Sequence, residues 1–246
     1  RQRQMCIRDR LLPMHIQFNF SGEIIMTKNP LKVAVVVGHH SYEVQPFQEM
    51  FESFPGMHCY IQHLEQFTSS SKEVRESYDV VVFYTMWLDT PVNDGPWYEG
   101  EALNALSGLG ETGQGILMLH HSILAFREWP LWKEVTGLDP KKYRDYHLDE
   151  TMSFHVAAPD HPIMKGIPDF TMVDEAYESD GVEEIPGIEV LMTTAHPKNI
   201  PTVAWTRQYK KSKVFCYQSG HCNTSYSNEY FREILRRGIL WTVDQI

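Results

Sequence analysis

Leu31-Lys-Val-Ala-Val-Val-Val37 is a nearly continuous run of apolar, mostly β-branched residues, and Gly38 ends it. Such a run predicts a strand buried on both faces, as in a parallel sheet covered by helices. Three further segments are predicted to be strands: Cys59–Leu64, the buried run Val80–Tyr84, and Ile116–Leu119. The spacing of these strands predicts an α/β fold, with a mainly parallel, doubly wound sheet and helices on both faces.

Helical patterns lie between and after these strands. They cover Pro46–Phe54, Ser71–Ser77, Glu101–Leu109 and a closing helix from about Asn228. The segment from Asp139 to Glu184 is instead rich in polar and turn residues, with a strand-like stretch at Phe170–Val173. Three short strands follow, at Glu189–Thr194, Val203–Arg207 and Lys213–Tyr217, and predict an antiparallel extension of the sheet.

Composition excludes several classes of protein. With 246 residues, 42% of them hydrophobic, the chain can bury a sizeable core in one domain. Its net charge of -10 offers no footprint for nucleic acid, and its apolar runs are too short to span a membrane. Four cysteines without a C-x-x-C motif suggest no disulfide framework, so we expect a reducing, cytoplasmic location.

The N-terminal segment differs from the rest of the chain. Arg1-Gln-Arg-Gln-Met-Cys-Ile-Arg-Asp-Arg10 has neither an amphipathic period nor the apolar centre of a secretory signal, and it resembles translated adapter DNA. We therefore expect residues 1–25 to be a non-native or disordered leader and residues 26–246 to form the domain.

Histidines gather where the predicted strands end. Five of the twelve follow strands directly: His39, His40, His120, His121 and His221. The carboxyl ends of parallel strands meet at one edge of the sheet, and imidazole serves both as a metal ligand and in proton transfer. We therefore expect a site there, with a divalent metal such as zinc held by His40, His121 and His221. Each histidine taken alone also fits a structural role.

Acidic and aromatic residues add to this picture. Asp174-Glu175 is a carboxylate pair suited to acid/base chemistry or to binding sugar hydroxyls, although a solvated turn is the alternative. Trp87, Trp205 and Tyr177 offer flat apolar faces for a small molecule, or else belong to the core. Gly108-Leu-Gly-Glu-Thr-Gly113 follows a helix and precedes a strand, the reverse of a dinucleotide motif, so no nucleotide cofactor is expected.

An ordered set of motifs resembles the trehalose-utilisation (ThuA-like) family over residues 31–243. These motifs are Val35-Val-Val-Gly-His-His40, Gly115-Ile-Leu-Met-Leu-His-His-Ser122, His161-Pro-Ile-Met-Lys-Gly-Ile167, Asp174-Glu-Ala-Tyr177, Pro201-Thr-Val-Ala-Trp205, Val214-Phe-Cys-Tyr-Gln-Ser-Gly-His221 and Gly238-Ile-Leu-Trp241. The resemblance implies a flavodoxin-like sheet, similar to that of class I glutamine amidotransferases, and a role in sugar catabolism. It also places His120-His121-Ser122 where those enzymes carry a cysteine nucleophile, which argues against a Cys-dependent glutaminase. His221 falls where their catalytic histidine lies.

The resulting hypothesis is an enzyme acting on a disaccharide or keto-sugar, as a hydrolase, lyase or isomerase. Its expected catalytic residues are His121, His221 and Glu175. Its expected substrate contacts are His40, Trp87, Ser122, Asp174, Tyr177 and Trp205. Two alternatives remain open: a non-catalytic sugar-binding or regulatory module, and a Ser122 nucleophile activated by His121 or His221. The expected partner is a small-molecule sugar, and a homo-oligomer is left open.

Overall fold

A computed structural model describes residues 30–182 and 187–246, together with the backbone of β1 (Gln17–Phe18) and β2 (Ile24–Ile25). These two short strands pair with each other in antiparallel fashion. The chain divides into two units, residues 1–30 and 31–246. Apart from the two strands, the leader expected at residues 1–25 and the domain start expected at residue 26 lie outside the described residues.

The second unit contains one nine-stranded sheet. Its strands are β3 (Leu31–Gly38), β4 (Met57–His63), β5 (Val80–Thr85), β6 (Gly115–Leu119), β7 (Asp145–Val156), β8 (Phe170–Glu178), β9 (Glu189–Thr194), β10 (Thr202–Tyr209) and β11 (Ser212–Tyr217). They lie in the order β4-β3-β5-β6-β11-β10-β9-β7-β8. The first five in this order run parallel, and the pairs beyond β11 are antiparallel. The expected α/β sheet with a parallel core and an antiparallel extension is confirmed.

Seven helices accompany the sheet in the described part of the chain. They are α1 (Val44–Glu52), α2 (Leu64–Ser69), α3 (Lys72–Glu76), α4 (Ala102–Ser107), α5 (Pro130–Thr136), α6 (Asn223–Tyr226) and α7 (Glu229–Trp241). Three of these helices, α2, α5 and α6, were not predicted from the sequence. Within the described residues, every helix is too short or too polar to reach across a lipid bilayer.

The alternation of side chains along β3 shows that helices cover both faces of the sheet. Val33, Val35 and Val37 point into a core that α1 and α7 complete. Ala34 and Val36 point the other way, into a second core with residues of α2, α4 and α5. A strand buried on both faces explains why the segment is apolar at nearly every position.

The structure corrects the second half of the sequence interpretation. The sequence analysis missed β7, although Met152, Phe154 and Val156 alternate inward along its second half. The strand predicted at Phe170–Val173 continues to Glu178, so the carboxylate pair lies within β8. Asp174 and Glu175 are only 2% and 4% exposed, and the interpretation of this pair as a solvated turn is wrong.

Candidate functional site

Three turns at the carboxyl ends of parallel strands bring histidines to one edge of the sheet. His39 and His40 follow β3, His120 and His121 follow β6, and His221 follows β11. Two of these turns hold a non-glycine residue in the left-handed region, His39 at φ 58° and His120 at φ 55°. This conformation is disfavoured for residues with a Cβ and concentrates at functional sites.

Glu175 is the centre of the cluster and comes from β8, at the far edge of the sheet. Its Oε2 lies 3.0 Å from His120 Nε2 and 3.2 Å from His221 Nδ1. The Tyr177 hydroxyl donates a hydrogen bond to the same oxygen at 2.7 Å. One carboxylate oxygen thus contacts two imidazoles and one phenol. The imidazoles come from the turns after β6 and β11, and the phenol comes from β8 itself.

The electrostatics favour the ionised form of Glu175. Burial by itself raises the pKa of this carboxyl, but the contacts with His120, His221 and Tyr177 outweigh burial and hold its pKa well below the ordinary value. In turn, the close contact with the Glu175 carboxylate raises the pKa of His221 against the opposing effect of burial. In the described part of the chain, the ion-pair partners of Glu175 are these two imidazoles.

The backbone of Gln218 fixes the orientation of the His120 ring. Its Nδ1 lies 2.8 Å from the backbone oxygen of Gln218. A carbonyl oxygen can only accept, so Nδ1 carries a proton and Nε2 is the ring atom that faces Glu175. Gln218 also donates from Nε2 to the backbone oxygen of Glu175 at 2.8 Å, and its Oε1 accepts from Asn199 at 3.2 Å.

His121 is 1% exposed, and neither of its ring nitrogens has a hydrogen-bond partner within the described residues. Its ring stacks on His40 at 4.4 Å between centroids and meets Tyr84 edge-on at the same distance. Burial, followed by the neighbouring His120 and His40, holds the pKa of His121 well below its ordinary value, so the ring is neutral at pH 7. A buried imidazole without partners is available to a ligand.

A cavity of about 430 Å³ lies over these groups, within the size range of small-molecule sites. Its polar side includes His40, His121, Glu175 and His221. Its opposite wall comes largely from β7 and the segment before it. The lining residues are His40, Ser41, Met86, His121, Leu124, Tyr143, Tyr146, Leu148, Glu175, Tyr177 and His221.

The structure thus brings together five of the residues selected from sequence: His40, His121, Glu175, Tyr177 and His221. It places the other four elsewhere. The ring of Trp87 lies 4.0 Å from that of His39, tilted by 44°, and lines a separate pocket of about 220 Å³. Trp205 is fully buried and donates from Nε1 to the backbone oxygen of Thr136 at 2.7 Å.

The remaining two residues support the backbone. Ser122 is fully buried, and its Oγ accepts the N–H of Thr85 at 3.0 Å. Asp174 accepts three backbone N–H groups, from Glu175 at 3.0 Å, Gly220 at 2.8 Å and His221 at 3.0 Å.

The donor atoms that converge differ from those expected for a metal. Among the described residues, the group able to hold an ion is His120, Glu175 and His221, whose ligand atoms all lie within 4.8 Å of one another. His40 and His121 instead stack face to face. Sequence reasoning noticed His120 at the end of a strand, but nothing in the sequence indicated the left-handed turn that points it toward Glu175.

The contribution of β7 was also missed. Tyr146 and Leu148 are about half exposed at the mouth of the cavity, and Asp149 (φ 55°) lies where the register of β7 with β8 shifts. Such bulges recur beside binding sites because they redirect side chains. The inward alternation of Met152, Phe154 and Val156 was the available signal for this strand.

Comparison with known proteins identifies the family. The profile of the ThuA family, described as trehalose utilisation, matches residues 32–242. No curated protein matches the chain at a significant level. Among solved structures, a ThuA-like protein from Parabacteroides merdae is 17% identical, with a TM-score of 0.66 over 87% of this chain and 90% of that one.

Two further structures share the fold. A ThuA-like protein from Bacteroides uniformis is 16% identical, with a TM-score of 0.67 over 88% of this chain and 93% of that one. A cytoplasmic protein from Salmonella typhimurium is 14% identical, with a TM-score of 0.59 over 86% of this chain and 99% of that one. With a profile match over most of its length, the chain belongs to the ThuA, or trehalose-utilisation, family.

Proposed function

We propose that this protein is an enzyme of sugar catabolism that acts on a disaccharide or keto-sugar in the cavity above Glu175. The observation that carries the proposal is the convergence of Glu175, His221 and the unpartnered His121 on one cavity, from three elements far apart in sequence. Buried groups of this kind are costly to maintain in a folded protein unless a ligand uses them.

The proposed division of labour follows from these positions. Glu175 and His221 line the cavity, where their polar atoms would hold the reacting part of the sugar in place. His121 is neutral, so it can accept a proton from a hydroxyl or carbon acid in the cavity and return it later in the reaction. Hydrolysis, elimination and isomerisation of a sugar all require such a transfer.

The substrate class rests on the family and on the cavity. Family membership supports a sugar, and the cavity volume suits a small molecule of one or two rings. Tyr143 and Tyr146 on the wall offer the flat faces on which sugar rings pack, opposite the polar groups that bind hydroxyls.

The other parts of the proposal concern fold type and setting. Counted in chain order, the parallel strands lie as 2-1-3-4-5, the order of flavodoxin-like sheets, which supports that fold type. The similarity to a cytoplasmic Salmonella protein supports a cytoplasmic location. No nucleotide cofactor is proposed, because Gly108 ends α4 and its glycine motif leads into β6 rather than into a helix.

The test is a sugar panel run for binding and for turnover. Trehalose, maltose, sucrose and keto derivatives of these disaccharides are titrated by calorimetry and incubated with the protein, and products are followed by NMR. The proposal expects at least one of them to be converted, with a rate that falls about 100-fold or more in His121→Ala. Full activity in both His121→Ala and His221→Ala would remove the assigned site.

The second candidate is a non-catalytic sugar-binding or regulatory module. The half-exposed Tyr146 and Leu148 at the cavity mouth support it, because exposed apolar groups beside a cavity can bind a ligand without any part in catalysis. Saturable binding of a panel sugar without any product over prolonged incubation would support the module and exclude the enzyme for that sugar.

A further inference from the structure

We infer that His120, Glu175 and His221 bind one divalent transition-metal ion, through His120 Nε2, Glu175 Oε2 and His221 Nδ1. The inference deepens the proposed function, because the ion would then act on the sugar, but ion binding itself is measured without any sugar. It replaces the ligand set of His40, His121 and His221 that the sequence suggested.

The distances fit a small ion. The three donor atoms lie within 4.8 Å of one another, with 3.0 Å and 3.2 Å from the carboxylate oxygen to the two ring nitrogens. A tetrahedral zinc ion about 2.0–2.2 Å from each ligand holds its ligand atoms about 3.4 Å apart. The two distances to the carboxylate oxygen need changes of only a few tenths of an ångström, and the two ring nitrogens, which lie up to 4.8 Å apart, must approach each other by up to about 1.4 Å.

Hydrogen bonds hold His120 Nε2 and Glu175 Oε2 next to each other. The backbone oxygen of Gln218 fixes the proton of His120 on Nδ1, the outer contact that metal-binding histidines make almost without exception. The Tyr177 hydroxyl lies 2.7 Å from both Glu175 Oε2 and His120 Nε2, and its single proton can satisfy only one of them. The 3.0 Å contact between His120 Nε2 and the carboxylate oxygen therefore needs a proton or a metal ion between the two atoms, and a metal ion can also take His221 Nδ1 as a ligand.

Charge and access complete the argument. Glu175 is 4% exposed, and its ion-pair partners within the described residues are imidazoles, which carry no permanent charge. His221 Nδ1 is buried and makes no hydrogen bond of acceptable geometry within the described residues. Since Glu175 and His221 line the cavity, a fourth ligand position opens toward it, as in catalytic rather than structural zinc sites.

The donor set also indicates the class of ion. Two imidazoles and one carboxylate suit zinc, cobalt, manganese or ferrous iron, whereas magnesium prefers oxygen ligands alone. We therefore expect Zn²⁺ and Co²⁺ to bind and Mg²⁺ not to compete with them.

The experiment is a metal titration of the full chain. After chelation and dialysis, Zn²⁺ is titrated by calorimetry, Co²⁺ by visible absorption, and metal content is measured by mass spectrometry. We expect about one Zn²⁺ per chain and a Co²⁺ spectrum of tetrahedral intensity. Affinity is expected to fall more than about 100-fold in Glu175→Gln and in His221→Ala, which exceeds the loss usual for outer contacts.

A matched control is available in the same sheet. His147→Ala removes an imidazole that lies 3.0 Å from the carboxylate of Glu178. Neither His147 nor Glu178 belongs to the metal-binding group found among the described residues. His147→Ala is expected to bind Zn²⁺ as tightly as the unaltered protein. Thermal unfolding of every variant shows whether a loss of binding reflects a loss of fold.

The outcomes separate this inference from the proposed function. No binding of Zn²⁺ or Co²⁺ by the folded, unaltered chain, or unchanged affinity in both site variants, overturns the metal site, whatever the sugar assays show. Conversely, a chain that binds Zn²⁺ at these residues but neither binds nor converts any sugar keeps the metal site and removes the proposed sugar chemistry.

Discussion

The carboxylate of Asp174 is hydrogen-bonded to the backbone of His221: Asp174 Oδ1 accepts the N–H of His221 at 3.0 Å, and Oδ2 accepts that of Gly220 at 2.8 Å. Gly220 has a φ of 120°, in a region that residues with a Cβ rarely adopt. The carboxylate therefore holds an unusual turn in shape, and this turn presents the His221 ring to Glu175.

Replacing Asp174 with asparagine should loosen that turn. In Asp174→Asn an amide N–H₂ takes the place of one oxygen and faces a backbone donor, so a buried hydrogen bond is lost. We expect the free energy of unfolding to fall by about 1–3 kcal/mol in urea denaturation. We also expect Zn²⁺ to bind about 10–100-fold more weakly, as for other groups that orient ligands.

The control for this variant is Asp169→Asn. Asp169 is exposed and accepts the N–H of Val156 at 2.8 Å, away from the cavity. It should change stability less and leave Zn²⁺ affinity as it is. Equal effects of the two variants on Zn²⁺ binding would contradict the positioning role of Asp174.

His121 should show opposite effects on stability and function. Its two ring nitrogens lie in the interior without hydrogen-bond partners among the described residues, and leaving such a group unsatisfied costs about 1–3 kcal/mol. His121→Leu removes that cost and fills a similar volume, so urea denaturation should show equal or higher stability. Turnover of a panel sugar should nevertheless fall about 100-fold or more. A stability loss as large as that of a core truncation would show that the imidazole has a structural partner.

Tyr146 and Trp205 should separate binding from folding. Tyr146 is 53% exposed at the cavity mouth, so Tyr146→Ala should change the free energy of unfolding by no more than about 0.5 kcal/mol. The loss of the aromatic ring should weaken sugar binding by up to about tenfold in calorimetry.

Trp205→Phe removes the hydrogen bond to Thr136 inside the core. It should lower the free energy of unfolding by about 1–3 kcal/mol and leave the sugar dissociation constant unchanged.

Ser122 provides a test of covalent chemistry. Its hydroxyl is fully buried and engaged with the N–H of Thr85. A serine-directed phosphonate should leave the mass of the protein unaltered after long incubation. An adduct mapped to Ser122 would revive the nucleophile hypothesis and displace His121 from the role proposed here.

Local pattern was sufficient to predict the parallel half of the fold. Strands such as β3 are apolar throughout because both faces are covered, and this signal survives in a single sequence. The bounds predicted for β9 agree with the structure residue for residue. β7 was missed because its first half is polar and exposed, and only Met152, Phe154 and Val156 record its buried face.

The sequence predicted which residues belong to the site better than it predicted how they are arranged. Histidines after strands could be assigned to one edge of the sheet, since parallel strands fix where their carboxyl ends lie. What could not be derived is the pairing of Glu175 with His120, because β8 and β6 are not neighbours and no local pattern records their approach. Trp205 was assigned to the site wrongly. Its flat aromatic ring is of a type that binds ligands, but its side chain is fully buried in the core.

The origin of Glu175 on the outermost strand has a consequence for how this protein matures on the ribosome. Residues up to about the end of β6 can assemble their parallel strands as soon as they emerge, and they already contain three of the clustered imidazoles, those of His40, His120 and His121. Their negative partner arrives only with β8, and His221 only with the closing segment. A nascent chain halted before that point would hold only part of the sheet and would lack Glu175 and His221, so the complete cluster can form only late in synthesis.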